Sequence, residues 1–394
     1  MDFRFAPEHE AFREEVREFL REALPPTWGS KNDREQLTPE EQSFAEGFEK
    51  KLAEMGWLTL AWPREYGGLG ADPLQQLIYN EEMSYARAPG VTVNIAIYLT
   101  GPTLMLYGTD EQKRRFLPPI ARAEEHWCQG FSEPEAGSDL ASLQTRAVRD
   151  GDDFVVNGTK MWISGASRAG WCILLARTDP DAPRHKGISY FLMDMKSPGI
   201  EIQPLTNIVD SNEFTQIYMD SVRIPHSNLV GDLNQGWYVA TTTLDFERSG
   251  IQRVMYAYRT LDEFIEYART ARRAGGSLLD APAARHKLAE LKVEFEIGRL
   301  LCHRVAWMQS RGLVPNYEAS ISKLYGTELQ QRLSQAIINM LGPAGGLSPG
   351  SPWAPLGGSI ERYYLAATSY TIAAGTSEIQ RNIVAMRGLG LPRG

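Results

Sequence analysis

The chain has 394 residues, enough for two or three domains, and its 43% hydrophobic and 23% charged content is that of a soluble globular protein. A net charge of −8 and a pI near 5.5 argue against broad binding to nucleic acid or to an anionic membrane, while leaving room for a local basic pocket that takes phosphates. Cys128, Cys172 and Cys302 are odd in number and far apart in sequence, and the six histidines lack metal-ligand spacing; no disulfide framework or metal site is expected, and a reducing cytoplasm is the default.

The amino terminus, Met1-Asp2-Phe3-Arg4, leads straight into charged helix with no apolar signal core, and no run of 18 apolar residues exists to span a membrane. Residues 1–125 read as helices. Phe12, Val16, Phe19 and Leu20 make one apolar face, ended by Pro25-Pro26. Thr38-Pro39-Glu40-Glu41 combines a cap with a proline at the first helical position, Phe44, Phe48 and Leu52 repeat behind it, and Gly56 closes the helix. Asp72-Pro73 starts another. Thr109-Asp110-Glu111-Gln112 is a second capping box, and Pro118-Pro119 lies beyond it.

Residues 126–232 change character. Asp150-Gly151 and Asn157-Gly158 are hairpin signals flanking a short strand, Phe154-Val155-Val156, and strand-like runs follow at 170–177, 188–195, 199–205 and 214–219. The pattern predicts a small antiparallel barrel or sandwich. Residues 233–394 are helical again. Leu288, Leu291, Phe295, Gly298, Cys302 and Val305 form one seam, and Leu329, Leu333, Ile337 and Met340 another. No Gly-x-Gly-x-x-Gly follows a strand, so a Rossmann cofactor site is unsupported.

Within the middle segment, residues 129–139 (Gln-Gly-Phe-Ser-Glu-Pro-Glu-Ala-Gly-Ser-Asp) place Ser132 and Ser138 on a backbone turned by Gly130, Pro134 and Gly137. Such a loop offers several N–H and O–H donors in one direction. It suits a flat, acceptor-rich ligand such as a flavin ring or an acyl carbonyl; an ordinary Gly/Pro turn is the alternative.

This loop, Lys160-Met161-Trp162-Ile163-Ser164 and Gly375-Thr376-Ser377-Glu378-Ile379-Gln380-Arg381 occur in that order within an α–β–α layout, and together they resemble the acyl-CoA dehydrogenase family over essentially the whole chain. The resemblance implies a multidomain α+β fold: an N-terminal helical domain (1–125), a central β-barrel (126–232) and a C-terminal four-helix bundle (233–394). It also implies non-covalent FAD, a homotetramer and electron-transfer flavoprotein as acceptor. Carried over, Gln129, Phe131, Ser132, Gly137 and Ser138 line the flavin, Ser138 also meeting the substrate, and Trp162 and Ser164 stand on the other side of the ring. Arg272, Asn339 and Gly342 resemble contacts to a neighbouring subunit's FAD, and Thr376 and Glu378 contacts near the carboxy terminus. Gly275-Gly276 departs from the usual phenylalanine-glycine after Arg272. Without the family, Trp162 is a barrel-wall aromatic, Arg272 a basic helix end, Gly342 a helix stop and Thr376 a helix cap.

Many relatives carry the catalytic carboxylate just before the Gly-Thr of the last motif. Here residues 373 and 374 are both alanine, which cannot take a proton. Another branch bears its base on a C-terminal-domain helix beside an arginine in an Asp-x-x-Arg string, and Leu244-Asp245-Phe246-Glu247-Arg248 matches it, making Glu247 the candidate base. Taken alone, a Glu-Arg pair on a helix is a solvated surface pair. Arg248 is a substrate neighbour or a structural ion-pair partner; Asp245 is a thioester-arm neighbour or a cap. Ala374 keeps a backbone N–H for the thioester carbonyl. The implied reaction is α,β-dehydrogenation of an acyl-CoA to the trans-2-enoyl-CoA, as in fatty-acid β-oxidation. An oxidase using oxygen, or a supporting subunit of a mixed α2β2 assembly, are the alternatives. Chain length, branching and pathway are not legible.

Overall fold

The computed structural model describes residues 4–26, 28, 37–90, 94–243, 249–273 and 276–392. The chain forms two compact units, one from residues 1–38, 72–92 and 248–394, the other from 39–71 and 93–247.

The first unit is helical. It holds α1 (Pro7–Ala23), and then α3 (Pro73–Tyr85), once α2 (Pro39–Glu54) of the second unit has intervened. Asp72 caps α3 by accepting the N–H groups of Leu74 and Gln75 at 2.8 and 2.9 Å, and Gln75 returns the bond to the Asp72 N–H. On α1, Val16 and Leu20 are buried as expected, whereas Phe12 and Phe19 are only half-buried. Arg13 is buried instead, 3.1 Å from Glu81 of α3.

The remaining helices of this unit are α7 (Ile251–Thr270), α8 (Pro282–Ser310), α9 (Tyr317–Leu341), α10 (Ser359–Tyr370) and α11 (Ser377–Ile383). They share a core of Leu77, Val254, Leu261, Phe264, Leu291, Phe295, Leu329, Leu333 and Ile337. The expected seam of α8 is buried at all six positions; on α9, Met340 yields the last buried place to Leu341. Tyr258 stacks on Phe295 at 5.3 Å and ties α7 to α8.

The second unit joins α2, α4 (Gly101–Tyr107), α5 (Asp110–Ala121) and α6 (Gly236–Thr243) to a sheet. Its strands are β1 (Trp127–Gly130), β2 (Arg146–Asp150), β3 (Asp153–Ser164), β4 (Trp171–Arg177), β5 (Ile188–Asp194), β6 (Ile200–Leu205), β7 (Phe214–Pro225) and β8 (Leu229–Val230). Pro118 and Pro119 fall inside α5, in its last turn. Phe116 of α5 lies edge-on to Trp127 and Trp171 at 5.5 and 4.8 Å, seating the helix on β1 and β4.

Asp150-Gly151 is the hairpin it promised, with Asp150 opposite Asp153. Asn157-Gly158 is not: β3 runs through it, and the register against β7 shifts there instead. Gly158 has φ +153°, and a Cβ on it would stand 2.5 Å from the Thr145 hydroxyl, so only glycine lets the bulge close on its neighbour.

The expected barrel is corrected as well. Among the described residues the hydrogen-bonded path runs β6-β7-β3-β2-β4-β5-β8, and its end strands β6 and β8 do not pair with each other, so the sheet is open. Two parallel contacts share one edge of β4, with β1 along Trp171–Leu174 and β2 only at Arg177. That short junction, plus the runs 172–176 of β4 and 188–193 of β5, buried on both faces, builds a core without closure. A two-stranded ribbon, β9 (Arg272–Arg273) with β10 (Gly276–Ser277), belongs to the first unit. No described helix is long and apolar enough to cross a membrane.

Candidate active site

In the second unit, β1 delivers the 129–139 loop with Gln129 opposite Ile173 and Gly130 opposite Leu174. Phe131 is buried edge-on against Tyr190 at 6.0 Å. Glu133 and Ala136 exchange backbone hydrogen bonds of 3.0 and 3.1 Å, which closes Pro134-Glu135 into a tight tip. Beneath it lies a fully buried cation. Lys160 of β3 donates from Nζ to the Phe131 carbonyl at 3.0 Å and to Glu133 Oε1 at 2.7 Å. Glu133 also accepts the N–H groups of Gln144 and Thr145 at 2.6 and 2.9 Å.

Burial pushes the Lys160 ammonium pKa below its ordinary value despite the attraction of Glu133. Burial also works against the Glu133 carboxylate, but Lys160 and the backbone donors outweigh it and hold its pKa below the usual range.

The Met161 N–H donates to the Ser132 carbonyl at 2.9 Å, joining the loop to β3. Just beyond, the β3–β7 register shifts between Lys160 and Ile163, and Trp162 takes φ +63°. A left-handed backbone costs a non-glycine residue about 1–2 kcal/mol. It leaves Trp162 56% exposed, its indole edge-on to Phe214 at 6.0 Å. Trp162 is thus an exposed aromatic on a bulge rather than part of a buried wall. The hydroxyls of Ser132, Ser138 and Ser164 take no protein partner among the described residues. Gln129, Phe131, Ser132, Trp162 and Ser164 are therefore gathered by one loop–strand junction, with Gly137 and Ser138 exposed at its outer end.

In the first unit, Thr376 caps α11, its hydroxyl accepting the Ile379 N–H at 3.2 Å. Glu378 follows in the first turn, where its own N–H and the Thr376 hydroxyl hold the exposed carboxyl below its usual pKa. Both residues line a cavity of about 530 Å³, together with Gln331, Arg332 and Gln335 of α9 and Arg381 of α11. Arg381 pairs with Glu328 at 2.6 Å.

Ala374 precedes this helix with φ +54°, and Gly375 follows with φ +83°. Lys323 of α9 donates to the Gly375 carbonyl at 2.7 Å and to the Tyr370 carbonyl at 3.3 Å; Gln380 donates to the Ala374 and Gly375 carbonyls, each at 3.3 Å. The N–H groups of Ala374, Gly375 and Thr376 have no acceptor among the described residues. The neighbouring Ser322 donates to the Ser249 carbonyl at 2.9 Å, so the same turn of α9 also holds the start of α7.

Asn339 is exposed in the last turn of α9, and its carbonyl accepts the Gly342 N–H. Gly342 adopts φ +60°, ψ −146°, a region open essentially to glycine. A Cβ there would touch nothing within 4 Å, so Gly342→Ala isolates backbone strain. The expected result is a loss of about 1–3 kcal/mol in denaturant unfolding; an unchanged midpoint would deny the strain.

The Arg272 backbone pairs with Ser277 in the β9–β10 ribbon, but its side chain, Gly275, Asp245, Glu247 and Arg248 lie outside the described residues. Lys160, Glu133, Lys323 and Gln380 were not singled out by sequence. The one available signal was parity: Lys160 occupies a buried position in β3, as Phe154 and Val156 do before the bulge.

Residues 6–124, 128–222 and 234–389 match the N-terminal, middle and C-terminal domains of acyl-CoA dehydrogenases. The chain belongs to the acyl-CoA dehydrogenase family. It is 37% identical to acyl-CoA dehydrogenase FadE26 of Mycobacterium tuberculosis, covering 100% of this chain and 99% of that one. Among solved structures it resembles the Tcur3481-Tcur3483 steroid ACAD (TM-score 0.88, 35% identity, 100% of both chains). It also resembles the ChsE4-ChsE5 complex from Mycobacterium tuberculosis (TM-score 0.86, 37% identity, 100% of both chains). As an acyl-CoA dehydrogenase it is an oxidoreductase, and members of the family depend on FAD. The residues present fit that group. The serine hydroxyls, without a protein partner among the described residues, and the exposed Trp162 suit an acceptor-rich ring.

Proposed function

We propose that the chain converts an acyl-CoA thioester to its trans-2-enoyl-CoA, with Glu247 as the base. The observation that carries this reading is the loop–strand junction of the second unit, where Trp162 is held exposed on a strained bulge beside serine hydroxyls that have no protein partner among the described residues. Bound FAD would supply the hydride acceptor for the β-carbon. Ser132, Trp162 and Ser164 would hold its ring, Gln129, Phe131, Gly137 and Ser138 would complete the loop side, Thr376 and Glu378 would contact it near the carboxy terminus, and Arg272, Asn339 and Gly342 would reach the FAD of a neighbouring subunit.

The chain's own work is to make the α-proton removable. The Ala374 N–H donates to the thioester carbonyl and stabilises the negative charge that develops there. Glu247 takes the α-proton, its basicity raised as the acyl chain expels water. Asp245, Arg248 and Ser138 contact the thioester arm.

For substrate we propose a bulky, ring-bearing acyl group, supported by the similarity to a structure described as a steroid ACAD. Electron-transfer flavoprotein is the proposed acceptor. Peroxide formed under air at the turnover rate would favour the oxidase reading instead.

A multi-subunit assembly, either a homotetramer or a mixed α2β2, is supported by a stripe of exposed Val293, Ile297, Leu300 and Trp307 along α8. The likeness to a two-protein complex supports the mixed form. The limits 1–125, 126–232 and 233–394 and a four-helix C-terminal bundle are retained as the domain proposal. Three buried free thiols agree with a cytoplasmic setting.

The test is anaerobic bleaching of the flavin-loaded protein by a panel of thioesters. Ring-bearing acyl-CoAs should exceed butyryl-CoA in kcat/KM by roughly 10-fold or more. A protein that binds flavin yet is bleached by none of them sinks the proposal.

A further inference from the structure

We infer that Lys323 is a positioning residue for the oxyanion site: its ammonium clamps the Gly375 and Tyr370 carbonyls and so fixes the direction of the Ala374 N–H. The inference rests on the assignment of that N–H to the thioester carbonyl, and it adds the group that aims it.

The turn between α10 and α11 has little rigidity of its own. It carries a left-handed alanine followed by a left-handed glycine, with φ +54° and +83°. Its termini are bonded, Ala373 N–H to the Ser369 carbonyl and Ser377 N–H to the Thr371 carbonyl, both at 2.9 Å. Between them, among the described residues, the carbonyls of Ala374 and Gly375 are held only by side chains, those of Lys323 and Gln380. The peptide plane that holds the Gly375 carbonyl is the next but one after the plane carrying the Ala374 N–H, so rotation at either residue re-aims the donor.

Lys323 is placed to do this and little else. It sits half-buried on α9 with no carboxylate in salt-bridge contact among the described residues. The charges that face it are Arg253 from α7, Glu328 from α9 and Glu378 from α11. Burial first, then Arg253, brings its pKa down to about 8. A cation kept at such a site without an ion-pair partner is spending its donors on the two carbonyls.

The experiment uses the flavin-loaded enzyme and a 3-oxoacyl-CoA, whose α-proton is acidic enough to be lost on binding without any transfer to flavin. The near-ultraviolet absorption of the bound enolate, followed against pH, reads the oxyanion donor directly. Lys323→Met should raise the apparent pKa of the bound ligand by about one unit, a ~10-fold loss, and lower kcat on the acyl-CoA substrate about 10-fold with KM little changed. Flavin content and thermal midpoint should stay near wild type. If Lys323→Met does not fold, Gln380→Leu, which removes the second donor set, should show the same selective shift at smaller amplitude. A wild-type enzyme that forms the enolate and a variant that matches it overturn the assignment alone. Loss of enolate in proportion to lost flavin or lost folding also overturns it, by making Lys323 merely structural. A wild type that leaves the ligand in its keto form removes both this inference and the reading beneath it.

Discussion

Lys160→Met is expected to destabilise the protein by about 3–5 kcal/mol, the range for breaking a buried ion pair from one side. Methionine fills most of the lysine's volume, so the loss is electrostatic rather than a cavity. What remains is the Glu133 carboxylate, still facing the Gln144 and Thr145 N–H groups but without its cation, and a Phe131 carbonyl without its donor. Glu133 then has two ways to respond: take up a proton or open the loop. Either loosens the tip closed by Glu133 and Ala136. The variant should therefore also bind FAD more weakly, and the dissociation constant should rise in step with the fall in stability. Adding Glu133→Gln removes the stranded charge, so the double variant should recover part of the deficit, with a coupling energy of about 1–3 kcal/mol. Equilibrium denaturation of the four proteins in the cycle measures this directly. Additive losses would mean that the pair does not act as a unit.

The lysine's role was not legible in sequence, although the motif that contains it was. The run Lys160 to Ser164 marks a site by its position relative to the other two motifs, and the family resemblance assigns Trp162 and Ser164, not Lys160, to the flavin. That Lys160 points inward follows from pairing β3 with β7, where it stands opposite Ile217, and such long-range register is not written locally. The same cause explains Asn157-Gly158. By local chemistry it is a hairpin; the long-range pairing of β3 with β7, with Thr145 close against Gly158, makes it a bulge. Helical features were more legible because their signals are local. The helix start at Asp72-Pro73, the capping box at Thr109 and the α8 seam lie within a few residues of the elements they specify. Closure of a sheet is the least local property of all, and the barrel expectation failed there: a strand count carries no record of whether the first and last strands meet. In the first unit, Thr376 was expected to touch cofactor or to cap a helix. It caps α11 and also lines the cavity, so the two roles do not compete.

Glu247→Gln is expected to lower kcat by about 10²–10⁴-fold, the contribution of a positioned general base, while leaving FAD bound and KM nearly unchanged. Glutamine is close in size and keeps a polar end, but it cannot accept the α-proton. The change therefore removes a transition-state interaction and little ground-state binding. Rapid-mixing measurement of flavin bleaching under anaerobic conditions isolates the step from electron transfer to the acceptor. Full-rate bleaching by the variant would take the base away from residue 247. A stronger version exploits the alanine at the alternative place. Ala374 already holds φ +54°, so a longer side chain there adds little new backbone strain, and Ala374 is exposed. Ala374→Glu in the Glu247→Gln background supplies a carboxylate from the turn before α11 while retaining the N–H at residue 374. If both segments face one α-carbon, the double variant should bleach faster than Glu247→Gln alone, and its rate should rise with pH as the new carboxylate ionises. No recovery at any pH, with flavin and substrate both bound, would mean that residues 247 and 374 do not address the same carbon.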